Sequence, residues 1–345
     1  MIKNTTDKSL GVLGLGEVML RLSPPDKERI SHSEGFEKNA GGSELNVVSG
    51  ISMLGMTSGI ITKLPNNEIG KYVKQKIRYF GANTNYVITD NSPDARLGIY
   101  YYENGAYPRP SLVTYDRANS SFSNLKADEL PDNIYTKAEI FHTSGITLAL
   151  CDKTRKNAVV MMKNFSNSGA VVSFDVNFRE SLWSEDNARA EISAILPLVN
   201  ILFISEETAR RAFKMEGSLS EIQEKLSNEH PNLEIIASTK RKATSPSKHS
   251  FSSLVYDCKE RIFYEEEPYI DIDVVDRVGS GDAYVAGALY GLLKHRSIEQ
   301  IAKYGNAMAA MKSTVSGDIA KCDISDIERI IKRHSSAIQT SEMVR

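Results

Sequence analysis

Apolar residues along the chain fall into short blocks separated by polar, glycine-bearing turns, and the spacing inside the blocks switches between two periods. Apolar runs lie at Leu10–Leu22 (centred on Val12 to Glu17), Gly59–Thr62, Ala138–Gly145, Ala170–Arg179, Ile201–Ile204 and Ile235–Thr239. Short runs of this kind, bounded by Gly, Asn and Asp, predict strands. Between them, Gly70–Phe80, Lys153–Gly169 and Ile298–Val315 carry apolar residues at helical spacing. Strands alternating with helices predict an α/β chain built on a mainly parallel sheet. Two stretches depart from the alternation. Ser23–Lys38 is polar and proline-bearing, which predicts a loop or short strands, and Leu97–Tyr115 is aromatic and β-prone, with Tyr100, Tyr101 and Tyr102 in a row. Phe251–Tyr264 reads as a further hairpin, and the chain beyond Ser335 is a polar tail.

Four stretches carry candidate chemistry. Ahead of Asp276–Gly291 an alternating run (270–275) leads to the turn Gly279-Ser280-Gly281, and Asp282 opens a segment that is small or apolar at nearly every helical position. Such a strand–turn–helix is either an ordinary turn with an aspartate cap or an anion pocket, in which outward main-chain amides at a helix start face a phosphate. A carboxylate would repel a phosphate that was merely bound, but it makes sense facing a hydroxyl that receives one. In Ala170–Arg179, period two sets Asp175, Asn177 and Arg179 on one side of a strand, at the end where open α/β sheets bind ligands; a strand running out into solvent would look the same. Gly41-Gly42-Ser43-Glu44-Leu45-Asn46 is either a plain helix start with Ser43 as N-cap or a place where a ligand meets the backbone. Around Leu97–Tyr115 the tyrosines, with Arg109 and Arg117, offer aromatic faces for sugar C–H bonds and guanidinium forks for a carboxylate, though an edge hairpin with surface tyrosines has the same composition.

The chain has 345 residues, 41% hydrophobic and 25% charged, enough for an ample core. A net charge of −2 and a pI near 6.4 argue against a general nucleic-acid binder. Three cysteines (Cys151, Cys258, Cys322) without paired spacing read as reduced thiols, and no run approaches the ~20 apolar residues of a membrane span, so a cytoplasmic protein is expected. The Gly-x-Gly at Gly14–Gly16 lacks the third glycine of a dinucleotide site. No P-loop, protein-kinase motif set or His-x-x-x-His pair occurs.

Asp276–Asp282, with Ala283 and Gly287 following, resembles the C-terminal signature of the ribokinase (PfkB) family of carbohydrate kinases, and the likeness extends from about Leu13 to Ile331. Within that family the chain is most similar to the 2-keto-3-deoxygluconate kinases, as in Asp175-x-Asn177-x-Arg179-x-x-Leu182-Trp183. The resemblance implies a ribokinase-like three-layer α/β sandwich spanning 1–335, with a β-lid formed near 18–40 and 95–118 and a tail at 336–345. It implies ATP and Mg2+ as cofactors, with a monovalent cation left open, and a sugar acid as acceptor. Asp282 falls on the catalytic base, and Gly279, Ser280 and Gly281 on the anion hole. Gly42, Asn46, Tyr100, Tyr115, Arg117, Arg179 and Asp318 fall on sugar contacts, while Asn177, Arg179, Thr239, Gly279 and Gly281 border the nucleotide. Asp282, at a helix start, is expected to favour its charged form. The family's metal-organising Asn-x-x-Glu is replaced by Ser205 to Thr208, a capped helix start as plain structure, so no metal ligand is assigned, Glu207 being a substitute to weigh. The glycine-bearing turn that usually follows the 235–239 strand is replaced by Lys240–His249, a basic segment expected to form a solvated loop. Exposed lid edges would allow homodimers or larger homo-oligomers. A kinase of neutral sugars or nucleosides and a non-catalytic sensor on the same fold are the competing readings.

Overall fold

The computed structural model describes residues 8–245, 247–295 and 297–335; the tail expected at 336–345 lies outside them. Among the described residues fourteen strands form two sheets. In chain order they are β1 (Leu10–Leu15), β2 (Met19–Ser23), β3 (Glu37–Gly41), β4 (Ser58–Pro65), β5 (Val87–Asp90), β6 (Ile99–Glu103) and β7 (Leu112–Asp116). The second half adds β8 (Ala138–Ser144), β9 (Val171–Asp175), β10 (Ile201–Phe203), β11 (Ile235–Ser245), β12 (Lys248–Asp257), β13 (Ile262–Glu265) and β14 (Tyr269–Asp273). The helices are α1 (Ser43–Met53), α2 (Glu68–Tyr79), α3 (Gly145–Ala149), α4 (Asp152–Asn167), α5 (Glu185–Ile195) and α6 (Glu206–Arg211), then α7 (Leu219–Glu229), α8 (Ser280–His295), α9 (Ile298–Ser313) and α10 (Ile324–Ser335).

The large sheet runs β13-β12-β11-β10-β9-β8-β1-β4-β5, with β14 also on β12, and is parallel from β11 to β5. Its central strands, β1, β4, β8 and β10, are buried on both faces, which is why they read as continuous apolar runs. Successive residues enter opposite cores: Val12, Ile60 and Ile140 pack under α1, α8 and α9, whereas Leu13, Ile61 and Phe141 pack against α4 and its neighbours. The result is a three-layer α/β sandwich. The chain winds from β1 outward through β4 to β5, then returns to β8 on the other side of β1 and continues to β11. A crevice opens beyond the carboxyl ends of the strands where that winding reverses. Helices α8 and α9 cross closely because Gly287 has no side chain; a Cβ there would strike the Tyr304 carbonyl.

The second sheet, β3-β2-β6-β7, covers the crevice. The run Leu10–Leu22 is therefore not one strand. It breaks at Gly16-Glu17, so β1 belongs to the large sheet and β2 to the lid, because the Glu17 side chain is drawn to Arg117 and Ser120. Nor is Lys240–His249 a loop: β11 continues to Ser245 and pairs in register with β12, from Thr239 opposite Ser253 to Lys242 opposite Ser250. The partner that the charge count concealed is β12, which is buried at every residue from Phe251 to Tyr256.

Candidate active site

Asp282 lies in the first turn of α8, not at its cap, and is only 8% exposed. Its approach is a tight turn: Gly279 has φ +82°, and a Cβ there would collide with the Asp318 carbonyl, so only glycine fits. The Ser280 amide donates to the Arg277 carbonyl (3.2 Å), which takes it out of the expected set of outward amides; those of Gly279 and Gly281 have no main-chain acceptor among the described residues. The Asp282 carboxylate accepts from Ser43 Oγ (2.8 Å) on one oxygen and from Asn46 Nδ2 (2.7 Å) on the other. Ser43 is thereby spent on Asp282 and does not cap α1, whose N-cap is Gly42. A Cβ on Gly42 would strike the Glu17 carbonyl, so the paired-glycine turn is required by close backbone packing.

Asn177 reaches the same place by a different route from the one period two predicts. Strand β9 ends at Asp175, whose carboxylate accepts from the Asn177 amide (3.1 Å); this turn puts Asn177 at φ +36°, a region Asn tolerates. From there Asn177 Nδ2 donates to Ser43 Oγ at 2.8 Å, with Asp282 Oδ1 at 3.4 Å.

Burial dominates the electrostatics. It raises the Asp282 pKa above the ordinary aspartate value, against the lowering effects of the Asn46 and Ser43 hydrogen bonds and the Arg179 charge. Burial thus works against the charged form that a helix start favours. Asp175 is raised to about 7, by burial first and by Asp282 next. Glu44 is also raised to about 7 by burial, although its carboxylate accepts from Ser144 Oγ (2.7 Å) and Thr147 Oγ1 (2.8 Å).

The lid contributes the other wall. Tyr100 and Tyr102 point inward while Tyr101 packs edge-on against Phe36 outside, so alternation along β6 settles which tyrosines face the crevice. The Tyr100 hydroxyl bonds Asp318, and its ring lies 5.8 Å from that of Tyr115. Arg117 is held by Glu17 through Nε (2.8 Å) and Nη2, and Ser120 donates to the other Glu17 oxygen. Asp318 is also paired with Arg21 (2.5 Å), which spans to Asp276 (2.6 Å) and lies 4.3 Å from the Tyr102 ring centre. Sequence reading passed over Arg21, Glu17 and Glu44. The available signal was an arginine in the otherwise apolar strand Met19–Ser23.

One cleft of about 740 Å3 is lined by Gly42, Asn46, Tyr100, Tyr115, Arg117, Asn177, Arg179, Thr239, Gly279, Ser280, Gly281, Asp282 and Asp318, whereas Arg109 is not in its wall and pairs with Glu103. Thr239 stands at the far side with Lys240 and Arg241, and Arg179 is exposed there. Ser205 caps α6 by accepting from the Thr208 amide (3.1 Å), which bears out the plain structural reading of that segment.

The model of the pfkB family of carbohydrate kinases matches residues 11–325. The chain belongs to that family. The kinase is 33% identical to a 2-dehydro-3-deoxygalactonokinase of Haloferax volcanii, over 94% of this chain and 97% of the relative. It is 25% identical to the 2-dehydro-3-deoxygluconokinase of Bacillus subtilis over 90% of this chain and 91% of the relative. Among solved structures it is similar to the 2-dehydro-3-deoxygluconokinase of Thermotoga maritima, with a TM-score of 0.88 and 31% identity over 94% of this chain and 99% of that one. The kinase fold is thus ribokinase-like, and its reaction class is phosphoryl transfer to a sugar alcohol.

Proposed function

We propose that this kinase transfers the γ-phosphoryl group of ATP to a hydroxyl of an acidic keto-sugar, 2-keto-3-deoxygluconate, giving its 6-phosphate. The observation that carries the reading is the buried Asp282 carboxylate, held by Ser43 and Asn46 beside a turn with outward amides and facing the lid across the cleft. The sugar oxygen attacks the γ-phosphorus while its proton passes to Asp282, the bond to the β-phosphate oxygen breaks, and ADP leaves. The amides of Gly279 and Gly281, at the positive end of α8, lower the energy of charge on the phosphoryl oxygens. The raised pKa makes Asp282 a stronger base than a solvated aspartate. Tyr115 covers a C–H face of the sugar, Gly42 and Asn46 border it, and Asp318 acts through Tyr100. Asn177 and Thr239 lie toward the nucleotide.

An acidic acceptor is favoured by Arg117, whose Nη1 is left for a carboxylate when Glu17 holds Nε and Nη2, by Arg179, and by the names of the Haloferax and Thermotoga relatives. Mg2+ fits the donor set, because such ions take one or two carboxylates and otherwise phosphate and water oxygens. Asp175 and Glu207 line the cleft and would hold it, and the ion supplies neutralisation of phosphate charge. Three free thiols fit a reducing cytoplasm, and no helix among the described residues is long and apolar enough to cross a membrane. Strand β7, exposed at every residue on the lid edge, is the pairing edge for a homodimer; a monomer mass by analytical sedimentation would reject that.

The test is ATP turnover against a panel containing 2-keto-3-deoxygluconate, its C4 epimer, fructose, ribose and adenosine. We expect the two sugar acids to lead in kcat/KM. A neutral substrate ahead of both would overturn the acidic reading, and binding without turnover of any would leave a sensor.

A further inference from the structure

Lys312, in the last turn of α9, is fully buried (0% exposed), and the transfer described above makes no use of it. Its ammonium donates to two main-chain carbonyls, those of Asp276 (2.9 Å) and Val315 (3.2 Å). These oxygens belong to the two segments that meet behind the phosphate-binding turn. One is 276–278, which leads into Gly279. The other is 315–318, whose last carbonyl Gly279 packs against. The segments are laced elsewhere as well. Asp276 Oδ1 accepts from the Val278 amide (3.0 Å), Asp276 Oδ2 from the Gly317 amide (3.1 Å), and the Val275 amide donates to the Ser313 carbonyl (2.8 Å).

A methionine would fill the same volume without the cost of taking an ammonium out of water. The charges facing Lys312 are mixed: Asp276 and Asp318 favour its protonated form, Arg21 and Lys321 oppose it, and burial outweighs both, drawing the pKa down to about 8. A cation retained under that pressure, on main-chain carbonyls of two loops, has the coordination chemistry of a small bound cation: it aligns carbonyl dipoles that would otherwise repel one another.

We propose that Lys312 is the resident cation of the phosphate-binding turn, a positioning residue that locks 276–281 onto 315–318 so that the turn is shaped without a bound monovalent metal ion. Its effect on turnover rests on the kinase reading above; its effect on nucleotide binding does not.

The experiment compares K+, Na+ and tetramethylammonium chlorides at constant ionic strength. It reads kcat and KM for the sugar acid and, by calorimetry, the affinity for a non-hydrolysable ATP analogue with Mg2+. For the natural chain both readouts should agree among the salts within about twofold. In Lys312→Ala, which vacates the place of the ammonium, kcat should fall about 10- to 100-fold with KM little changed, the scale for a slightly misplaced transition-state donor. K+ or NH4+, but not tetramethylammonium, should restore part of the loss and tighten analogue binding. Strong activation of the natural chain by K+ would overturn the proposal. So would a fully active variant, or a loss that no small cation restores. Should Lys312→Ala fail to fold, the salt series on the natural chain decides. Should no sugar be phosphorylated, the kinase reading fails and the analogue-binding arm still decides the role of Lys312.

Discussion

Replacing Asp282 by Asn separates chemistry from architecture at this site. The carboxylate accepts two short hydrogen bonds, from Ser43 Oγ (2.8 Å) and Asn46 Nδ2 (2.7 Å). A carboxamide keeps one acceptor and turns the other position into a donor, which would oppose Asn46 Nδ2. The fold has a remedy: Asn46 Oδ1 is buried without a partner among the described residues, so a flip of the Asn46 amide presents an acceptor to the new NH2. The substitution also removes a carboxylate whose charge burial disfavours. Stability should therefore hold or rise slightly, with the melting temperature no more than about 2 °C lower. Turnover should not hold. Loss of a positioned general base costs about 10²- to 10⁴-fold, or roughly 3–5 kcal/mol in the barrier. An ADP-release assay with the sugar acid would show this as a fall in kcat with KM nearly unchanged, while calorimetry would show the sugar and the ATP analogue still bound. A kcat within about threefold of the natural chain would refute Asp282 as base. A melting temperature lower by about 8 °C would refute the repair by Asn46 and make the activity loss a folding effect.

Three further outcomes follow from the same geometry. Glu44 is raised to about 7 from 4.5 by burial, so between those values the folded chain keeps a proton that the unfolded chain has released. Stability attributable to Glu44 is then full below pH 4.5 and lost as pH rises toward 7, and Glu44→Gln should flatten urea melts compared at pH 5 and pH 8, by up to about 3 kcal/mol. Arg21→Met leaves Asp276 and Asp318 buried without their shared guanidinium and should cost about 3–5 kcal/mol in denaturant unfolding; a loss below 1 kcal/mol would show the pair to be dispensable. Gly279→Ala forces a side chain into a positive-φ position against the Asp318 carbonyl, and should lower kcat about 100-fold with a smaller loss of stability; equal losses in sugar binding and turnover would contradict the turn's role.

What the sequence determined by itself is whatever depends on near neighbours along the chain. The two-sided burial of β1, β4, β8 and β9 is written in their apolar runs, because both faces of a parallel sheet are covered. The glycine turn before Asp282 is legible because a positive φ demands a residue without a Cβ. Asp175, Asn177 and Arg179 were rightly placed at the cleft although the strand stops at Asp175, since an Asx turn brings the chain to the same end of the sheet. Only the tertiary structure decided the rest. Arg21 meets Asp318 across 297 positions and Asp276 across 255, and Arg117 meets Glu17 across 100, contacts with no local trace. The partner of the basic segment after Thr239 is β12, an antiparallel strand that sets Lys240 opposite Ser252 and Lys242 opposite Ser250. The Asp282 pKa is shifted upward, opposite to what its helix start alone favours, because desolvation is set by everything packed around a group, whereas the helix field acts from its own first turn. Spacing along a chain reports where side chains point; how much water they keep is known only once the lid, the sheet and α8 have come together.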